Sequence, residues 1–106
     1  MSITESQCKH LRRLGHHLKP LVLVGSAGLS DGVLAEVRNS LEHHELIKVR
    51  VRSGGRKERD ALIEDLAARS ESQLIQRIGN VALLYRQAEE PTIVLPVRGS
   101  AASPSK

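Results

Sequence analysis

The seven residues at positions 46–52, LIKVRVR, show the clearest alternation of apolar and polar side chains in this chain. Aliphatic residues at positions 47, 49 and 51 alternate with three cations, Lys48, Arg50 and Arg52. Successive side chains of a β-strand point to opposite faces of its sheet. The pattern therefore predicts a strand with one aliphatic face, which packs on a core, and one cationic face.

The segments around this strand alternate between helical and extended patterns. Apolar residues recur at helical spacing over positions 4–18, 31–43 and 57–69, and the apolar run at 21–24 predicts a short buried strand. Strands are also predicted at 74–78 and 81–86, where only Gly79 and Asn80 separate them, as in a tight hairpin. Residues 92–95 are a candidate for one more short strand. This order predicts an α/β fold, a compact two-layer sandwich in which helices pack on a mixed sheet of about four strands.

The length of 106 residues suits a single domain with a modest core. The chain contains no Trp or Phe and a single Tyr, so we expect the core to be aliphatic. We expect the domain to occupy residues 1–97. Residues 98–106 are rich in Ser, Ala and Gly, and we expect them to form a disordered tail.

The formal net charge is +4, and the cations are clustered. Six basic residues lie between positions 48 and 59, with Glu58 as their one acidic neighbour. A second group lies on the predicted first helix, opposite its apolar stripe, and just after it: Lys9, Arg12, Arg13, His16 and Lys19. Clustered positive charge on a small domain suits a polyanionic partner.

The residue types present disfavour several classes of protein. The single cysteine, Cys8, allows neither an internal disulfide nor a cysteine-based zinc site, and it suits a reducing cytoplasm. No apolar run is long enough for a membrane span, and the first ten residues lack the apolar segment of a signal peptide. The adjacent histidines at 16–17 and 43–44 lack the spacing of metal ligands. Since no cofactor or catalytic motif is recognisable, we expect a cytoplasmic protein without a cofactor, a metal or enzymatic activity.

Positions 25–28, Gly-Ser-Ala-Gly, lie between the predicted strand at 21–24 and a helix that Ser30 can cap. Glycine permits backbone conformations closed to other residues, and the amides at a helix start carry partial positive charge. A GxxG loop in this position can clamp a nucleic-acid backbone. Many strand-to-helix turns contain two glycines without such a role, so the motif alone leaves a purely structural turn open.

Both basic stripes also have an alternative interpretation. Acids from elsewhere in the chain, such as Glu42, Glu45 or Glu64, could neutralise the cationic strand face, and the pattern leaves this open. The basic first helix could bind acidic lipid, but it has no Trp or Phe to anchor it in a membrane interface. We therefore favour phosphate contacts over a membrane role for this helix.

Four blocks of sequence together resemble one known family. They are Lys-Pro at 19–20, VGSAGL at 24–29, HHELIKV at 43–49, and Ile-Gly at 78–79 with LLYR at 83–86. In this order they are similar to the CRM (chloroplast RNA splicing and ribosome maturation) domain, whose bacterial stand-alone form is the YhbY-like RNA-binding protein. The resemblance implies a sandwich similar to the C-terminal domain of translation initiation factor three, with RNA contacted by the GxxG loop. It also implies association with precursors of the large ribosomal subunit and a role in their assembly.

We therefore interpret the chain as a monomeric RNA-binding protein whose partner is ribosomal RNA in large-subunit precursors, with no membrane role. The expected RNA-binding residues are those of the loop and of the basic stripes: Gly25, Ser26, Ala27, Gly28, Lys9, Arg12, Arg13, His16, Lys19, Lys48, Arg50, Arg52, Arg56 and Lys57. The same charge pattern could instead dock an acidic ribosomal or assembly protein. A small nucleotide-directed enzyme would need a catalytic group that the sequence does not offer.

Overall fold

The computed structural model describes residues 3–25, 27–52 and 54–96. Three helices and four strands follow one another in the predicted order. They are α1 (Glu5–Gly15), β1 (Pro20–Val24), α2 (Asp31–His44), β2 (Leu46–Val51), α3 (Arg56–Arg69), β3 (Gln73–Ile78) and β4 (Val81–Tyr85). The predicted tail at 98–106 lies outside the described residues, and among the described residues no helix has the length and apolar character needed to cross a membrane.

The four strands form one mixed sheet in the order β1-β2-β4-β3. β1 runs parallel to β2, with Val24 paired with Val51, and β4 runs antiparallel to both β2 and β3. Gly79 closes the β3–β4 hairpin with a φ of 59°, a backbone conformation that favours glycine. The predicted α/β class and four-stranded mixed sheet are confirmed.

The helices cover the two faces of the sheet unequally. On one face α2 and α3 bury the aliphatic side of β2, Ile47, Val49 and Val51, in the larger core. On the other face α1 and the segment after β4 pack on a smaller cluster. Its buried members are Leu11, Leu46, Ile75, Leu83 and Tyr85, and Ile93 and Leu95 of the later segment pack against them. A two-layer sandwich of sheet, α2 and α3 therefore carries a partial third layer, and that layer leaves the rest of its face open.

The strand β1 is less buried than its apolar sequence predicts. Val22 and Val24 lie in the core, whereas the side chains of Leu21 and Leu23 are 51% and 50% exposed. β1 is an edge strand, and the larger core covers one of its faces only. The prediction of a buried strand is therefore wrong for every second residue of this run.

The N-terminal helix is fixed at both of its ends. Thr4 and Gln7 form a capping box, in which each side chain accepts a hydrogen bond from the other residue's amide, at 3.1 and 3.0 Å. Gln7 also donates from Nε2 to the carbonyl of Pro96 at 3.0 Å, which ties the helix to the C-terminal segment. At the other end Gly15 lies directly on β4, where a Cβ would stand 2.6 Å from Cδ2 of Leu83.

The predicted strand at 92–95 is absent, and its residues are held by a buried carboxylate instead. Oε1 of Glu45 accepts hydrogen bonds from the amides of Thr92 and Ile93 and from the Thr92 hydroxyl, while Oε2 accepts one from the amide of Ala88, all at 2.8 Å. Burial by itself raises the pKa of Glu45, but these four hydrogen bonds outweigh it and lower the pKa below its ordinary value. The prediction was wrong because these amides meet a side chain rather than a neighbouring strand.

Candidate nucleic-acid interface

Three loops meet at one edge of the sheet, which we call the carboxyl edge because β1 and β2 both end there. The amide of Arg52 donates to the carbonyl of Val24 at 2.9 Å, so the loop after β2 begins beside the loop after β1. The amide of Val51 donates to the carbonyl of Asn80 at 2.8 Å, which places the β3–β4 turn at the same edge. The GxxG loop, the loop that contains Gly54 and Gly55, and the hairpin turn are therefore neighbours, and the first two are called the glycine loops.

The GxxG loop is a tight turn with an open surface. The amide of Gly28 donates to the carbonyl of Gly25 at 3.0 Å, and Gly28 has a φ of 79°, which other residues rarely adopt. A Cβ at Gly25 or Gly28 would meet no atom within 4 Å, so both glycines face space into which a ligand can come. Ala27 is exposed, and Ser26 lies outside the described residues.

The helix that follows the loop is already capped. The Ser30 hydroxyl accepts a hydrogen bond from the amide of Val33 at 3.2 Å, and Asp31 adds a carboxylate to the first turn. Both features reduce the attraction of this helix start for a phosphate. The start of α3 differs, because its N-cap is Gly55, which has no capping side chain. The first two residues of this helix, Arg56 and Lys57, are exposed cations.

A cleft at the carboxyl edge brings the two glycine loops together. Gly25 and Gly28 of the first loop, Gly54 of the second, and Arg52 all line it. Arg52 also lines a second depression, next to Arg56 and Asn80. Glu58 reaches into the first cleft, since its Oε1 lies 3.1 Å from the position of a Cβ on Gly54. Arg52 thus lines both depressions at the carboxyl edge, and the Glu58 carboxylate lines one of them.

The cationic stripe of β2 lies on the partly covered face of the sheet. Lys48 is half-buried, and Arg50 and Arg52 are exposed. In the part of the chain that the structure describes, none of the three has a carboxylate oxygen within 4 Å of its side-chain nitrogens. Glu45 is engaged with the C-terminal segment, and the helices that carry Glu42 and Glu64 pack on the opposite face. Glu42, Glu45 and Glu64 therefore do not neutralise the cationic face of β2.

The orientation of α1 decides where its basic residues point. Cys8, Leu11 and Gly15 face the sheet, and Leu14 lies on the flank toward Leu46, where β2 begins. At about 100° per residue, the other flank carries three basic side chains: Lys9, Arg12 and His16. This basic flank therefore lies on the side of α1 opposite Leu14 and the start of β2.

Not all of the predicted residues lie on this surface. Lys19 lines an apolar groove with Leu18 and Leu46 at the opposite edge of the sheet, away from the glycine loops. Arg13 points further round the helix, away from the sheet. Arg12 is paired with Glu5 at 3.3 Å, an exposed ion pair that weakly offsets its charge. In the described parts of the chain, no three His, Cys, Asp or Glu side chains are grouped so as to hold a metal ion.

Some residues near these loops were not anticipated from the sequence. Arg77 lies beside the hairpin, where its Nη1 donates to the carbonyl of Gly79 at 3.1 Å and its Nε lies 3.3 Å from Oδ1 of Asp60. The exposed aliphatic side chains of Leu23 and Ile78 share the open face with Arg50. The exposure of Ile78 could be predicted only from the alternation of side chains along β3. A bulge between Leu74 and Gln76 interrupts that alternation.

The profile of the CRS1/YhbY (CRM) domain matches residues 3–86 of this chain. The chain belongs to this family. This CRM domain is 46% identical, over 91 residues, to a Pseudomonas aeruginosa protein named as a probable RNA-binding protein, and the match covers 86% of this chain and 88% of that protein. It is 41% identical over 95 residues to an RNA-binding protein of Haemophilus influenzae, covering 90% of this chain and 96% of the relative.

A solved structure supports the same assignment of fold. The solution structure of a hypothetical protein from Staphylococcus aureus superposes on this CRM domain with a TM-score of 0.77 and 32% sequence identity. The superposition covers 90% of this chain and all of that protein. The resemblance drawn from the four sequence blocks is therefore confirmed, and with it the fold class.

Proposed function

We propose that this CRM domain is a non-catalytic RNA-binding protein that associates with precursors of the large ribosomal subunit and assists their assembly. The observation that carries the proposal is the open cationic face of β2, which ends at the glycine loops and whose side-chain nitrogens have no carboxylate oxygen within 4 Å among the described residues. Relatives of similar length named as RNA-binding proteins support RNA as the partner. We place the protein in the cytoplasm as a monomer.

The RNA backbone would lie along the carboxyl edge and the open face. Arg50 and Arg52 would each neutralise a phosphate, and amides of the GxxG loop other than that of Gly28 would donate to phosphate oxygens where no Cβ prevents close approach. The basic flank of α1 and the exposed Arg56 and Lys57 would extend the interface on either side. With one aromatic residue, Tyr85, which is buried, recognition would rest mainly on the shape of the RNA and the spacing of its phosphates.

A salt titration tests this mechanism. Each phosphate neutralised by a cation releases counterions, so the affinity for a large-subunit ribosomal RNA fragment should fall steeply as salt rises. The double substitution Arg50→Gln/Arg52→Gln should reduce the slope of log affinity against log salt by about one for each phosphate that is no longer neutralised. Arg69→Gln is the matched control, because Arg69 is an exposed arginine paired with Asp65 on α3, and its slope should equal that of the wild type. Equal slopes for all three proteins would contradict the mechanism.

A second measurement separates an RNA partner from an acidic protein partner. The protein should co-sediment with large-subunit precursors and should be released when ribonuclease digests the RNA of those particles. Retention after complete digestion would favour docking on a protein.

A further inference from the structure

One row of side chains crosses the open face of the sheet next to the carboxyl edge. Leu23 of β1 pairs with Arg50 of β2, Arg50 pairs with Val81 of β4, and Val81 pairs with Ile78 of β3. Directly paired residues of neighbouring strands project from the same face. We call these four residues the transverse row, which spans roughly 14 Å at about 4.8 Å per strand.

The transverse row exposes more aliphatic surface than a solvated sheet face needs. Leu23 is 50% exposed and Ile78 is 67% exposed, while Val81 is half-buried between them. The helix α1 covers the adjacent part of this face, over Leu83, and does not extend over the ends of the row. Exposed aliphatic side chains grouped around one cation indicate a surface that a partner covers.

The chemistry of the row restricts that partner. Arg50 stands between Leu23 and Val81 and has no carboxylate partner among the described residues, so a purely apolar partner would bury its charge at high cost. The partner must combine a flat apolar surface, which covers Leu23 or Val81, with a negative charge that reaches the neighbouring Arg50. An unpaired nucleotide has this combination, because its base presents an apolar face and its phosphate carries the charge.

We propose that the transverse row is a platform for the bases of unpaired nucleotides in the RNA held at the carboxyl edge. The proposal rests on the proposed RNA-binding function and adds its substrate class, a single-stranded segment or a loop rather than a continuous duplex. Bases in a duplex are stacked on one another and cannot lie on the row. The Arg50 guanidinium can stack on one base or bind its phosphate, while Leu23 and Ile78 contact the faces of the bases on either side.

The test compares a short single-stranded RNA with a hairpin duplex of equal nucleotide number, measured against three proteins. The double substitution Leu23→Thr/Ile78→Thr removes exposed aliphatic surface while keeping residues that suit a strand. Because less apolar surface is buried, its affinity for the single strand should fall on the order of tenfold, with affinity for the duplex and the salt slope unchanged. Val94→Thr is the matched control, since Val94 is an exposed aliphatic residue outside the row, and it should bind both RNAs as the wild type does.

The outcomes separate this proposal from the function on which it rests. A wild type that binds neither RNA would overturn both, whereas wild-type binding that the double substitution leaves unchanged, or reduces equally for the two RNAs, would overturn the platform alone. Thermal unfolding checks that the variant is folded. Photocrosslinking of wild-type protein to thiouridine-containing single strands gives an independent answer: crosslinks at 23 and 78–81 support the platform, and crosslinks confined to 25–28 contradict it.

Discussion

Gly15 and Leu83 are in contact so close that a Cβ on Gly15 would stand 2.6 and 2.7 Å from the two Cδ atoms of Leu83. Leu83 is buried in the cluster between α1 and the sheet, so its side chain has little room to move away. The contact sets how deeply α1 sits on β4. It therefore also fixes the height of the basic flank above the open face.

Replacement of Gly15 by alanine should destabilise the fold. Alanine is more stable than glycine in a helix interior by about 1 kcal/mol, and by less at Gly15, the last residue of α1. The clash with Leu83 should cost more, and we expect a net loss of about 1–2 kcal/mol. Urea denaturation followed by circular dichroism measures the change. Gly32→Ala is the matched control, because its Cβ would meet only Ser30 Oγ at 3.9 Å, and we expect it to be neutral or stabilising. A Gly15→Ala variant as stable as Gly32→Ala would show that the contact relaxes freely.

The buried carboxylate of Glu45 should make stability depend on acid pH. Because the folded state lowers the pKa of Glu45 below its ordinary value of 4.5, the folded protein binds fewer protons than the unfolded chain in this range. The resulting stabilisation is present above about pH 4.5 and is lost as pH falls through the folded-state pKa. Unfolding free energies measured between neutral and acid pH should show this loss in the wild type and less of it in Glu45→Gln.

The same substitution should weaken the fold at neutral pH. A glutamine amide can replace one carboxylate oxygen only, so at least one of the four donors is left facing an NH₂ group, at a cost of about 1–3 kcal/mol. Glu42→Gln provides the control, since Glu42 is exposed on α2. Equal stability of the two variants would mean that the C-terminal segment is not held by Glu45 in solution.

The pKa of Tyr85 also depends on the carboxylate of Glu45. Burial and then the negative charge of Glu45 raise the pKa of Tyr85 above its ordinary value of 10.0. Since the chain has no Trp and no other Tyr, tyrosinate absorbance follows this one group. We expect titration above pH 10.0 in the folded protein and a lower pKa in Glu45→Gln. An unchanged pKa in that variant would leave burial as the whole cause.

The GxxG loop is tested by a pair of substitutions at Gly28. Both Gly28→Asn and Gly28→Asp strain the backbone at a φ of 79°, but only aspartate adds a negative charge beside the proposed phosphate path. We expect both variants to stay folded, with aspartate weakening RNA binding by about tenfold more than asparagine. Filter binding at one fixed salt concentration measures the difference. Equal affinities for wild type and both variants would mean that the loop is a structural turn only.

Local patterns predicted the helices, the strands and the hairpin because each depends on a few neighbouring residues. The two-residue period of β2 marked its core face, and Ser30 marked the start of α2. The segment at 92–95 has strand-like residues, yet its amides bind Glu45, a residue 47 positions away from Thr92. Such a long-range competition leaves no sign in the local pattern.

The arrangement of the candidate site depended on features that sequence patterns do not carry. The alternation of β2 predicted one cationic face, but the packing of α1 on the sheet, including the contact of Gly15 with Leu83, determines which part of that face the helix covers. The apolar run of β1 concealed that Leu21 and Leu23 face outward, because its position at the sheet edge follows from strand order. The grouping of both glycine loops around Arg52 likewise follows from the parallel pairing of β1 with β2.

The hydrogen bonds between Glu45 and the segment after β4 bear on where a fragment of this chain should end when it is expressed. The family match ends at residue 86, two positions before the first amide that Glu45 binds and ten before the carbonyl that Gln7 reaches. A fragment ending at that match would lose the four donors to Glu45 and would remove Ile93 and Leu95 from the smaller core. A deletion series guided by the family match alone would therefore lose contacts that the segment 87–96 makes with the rest of the fold.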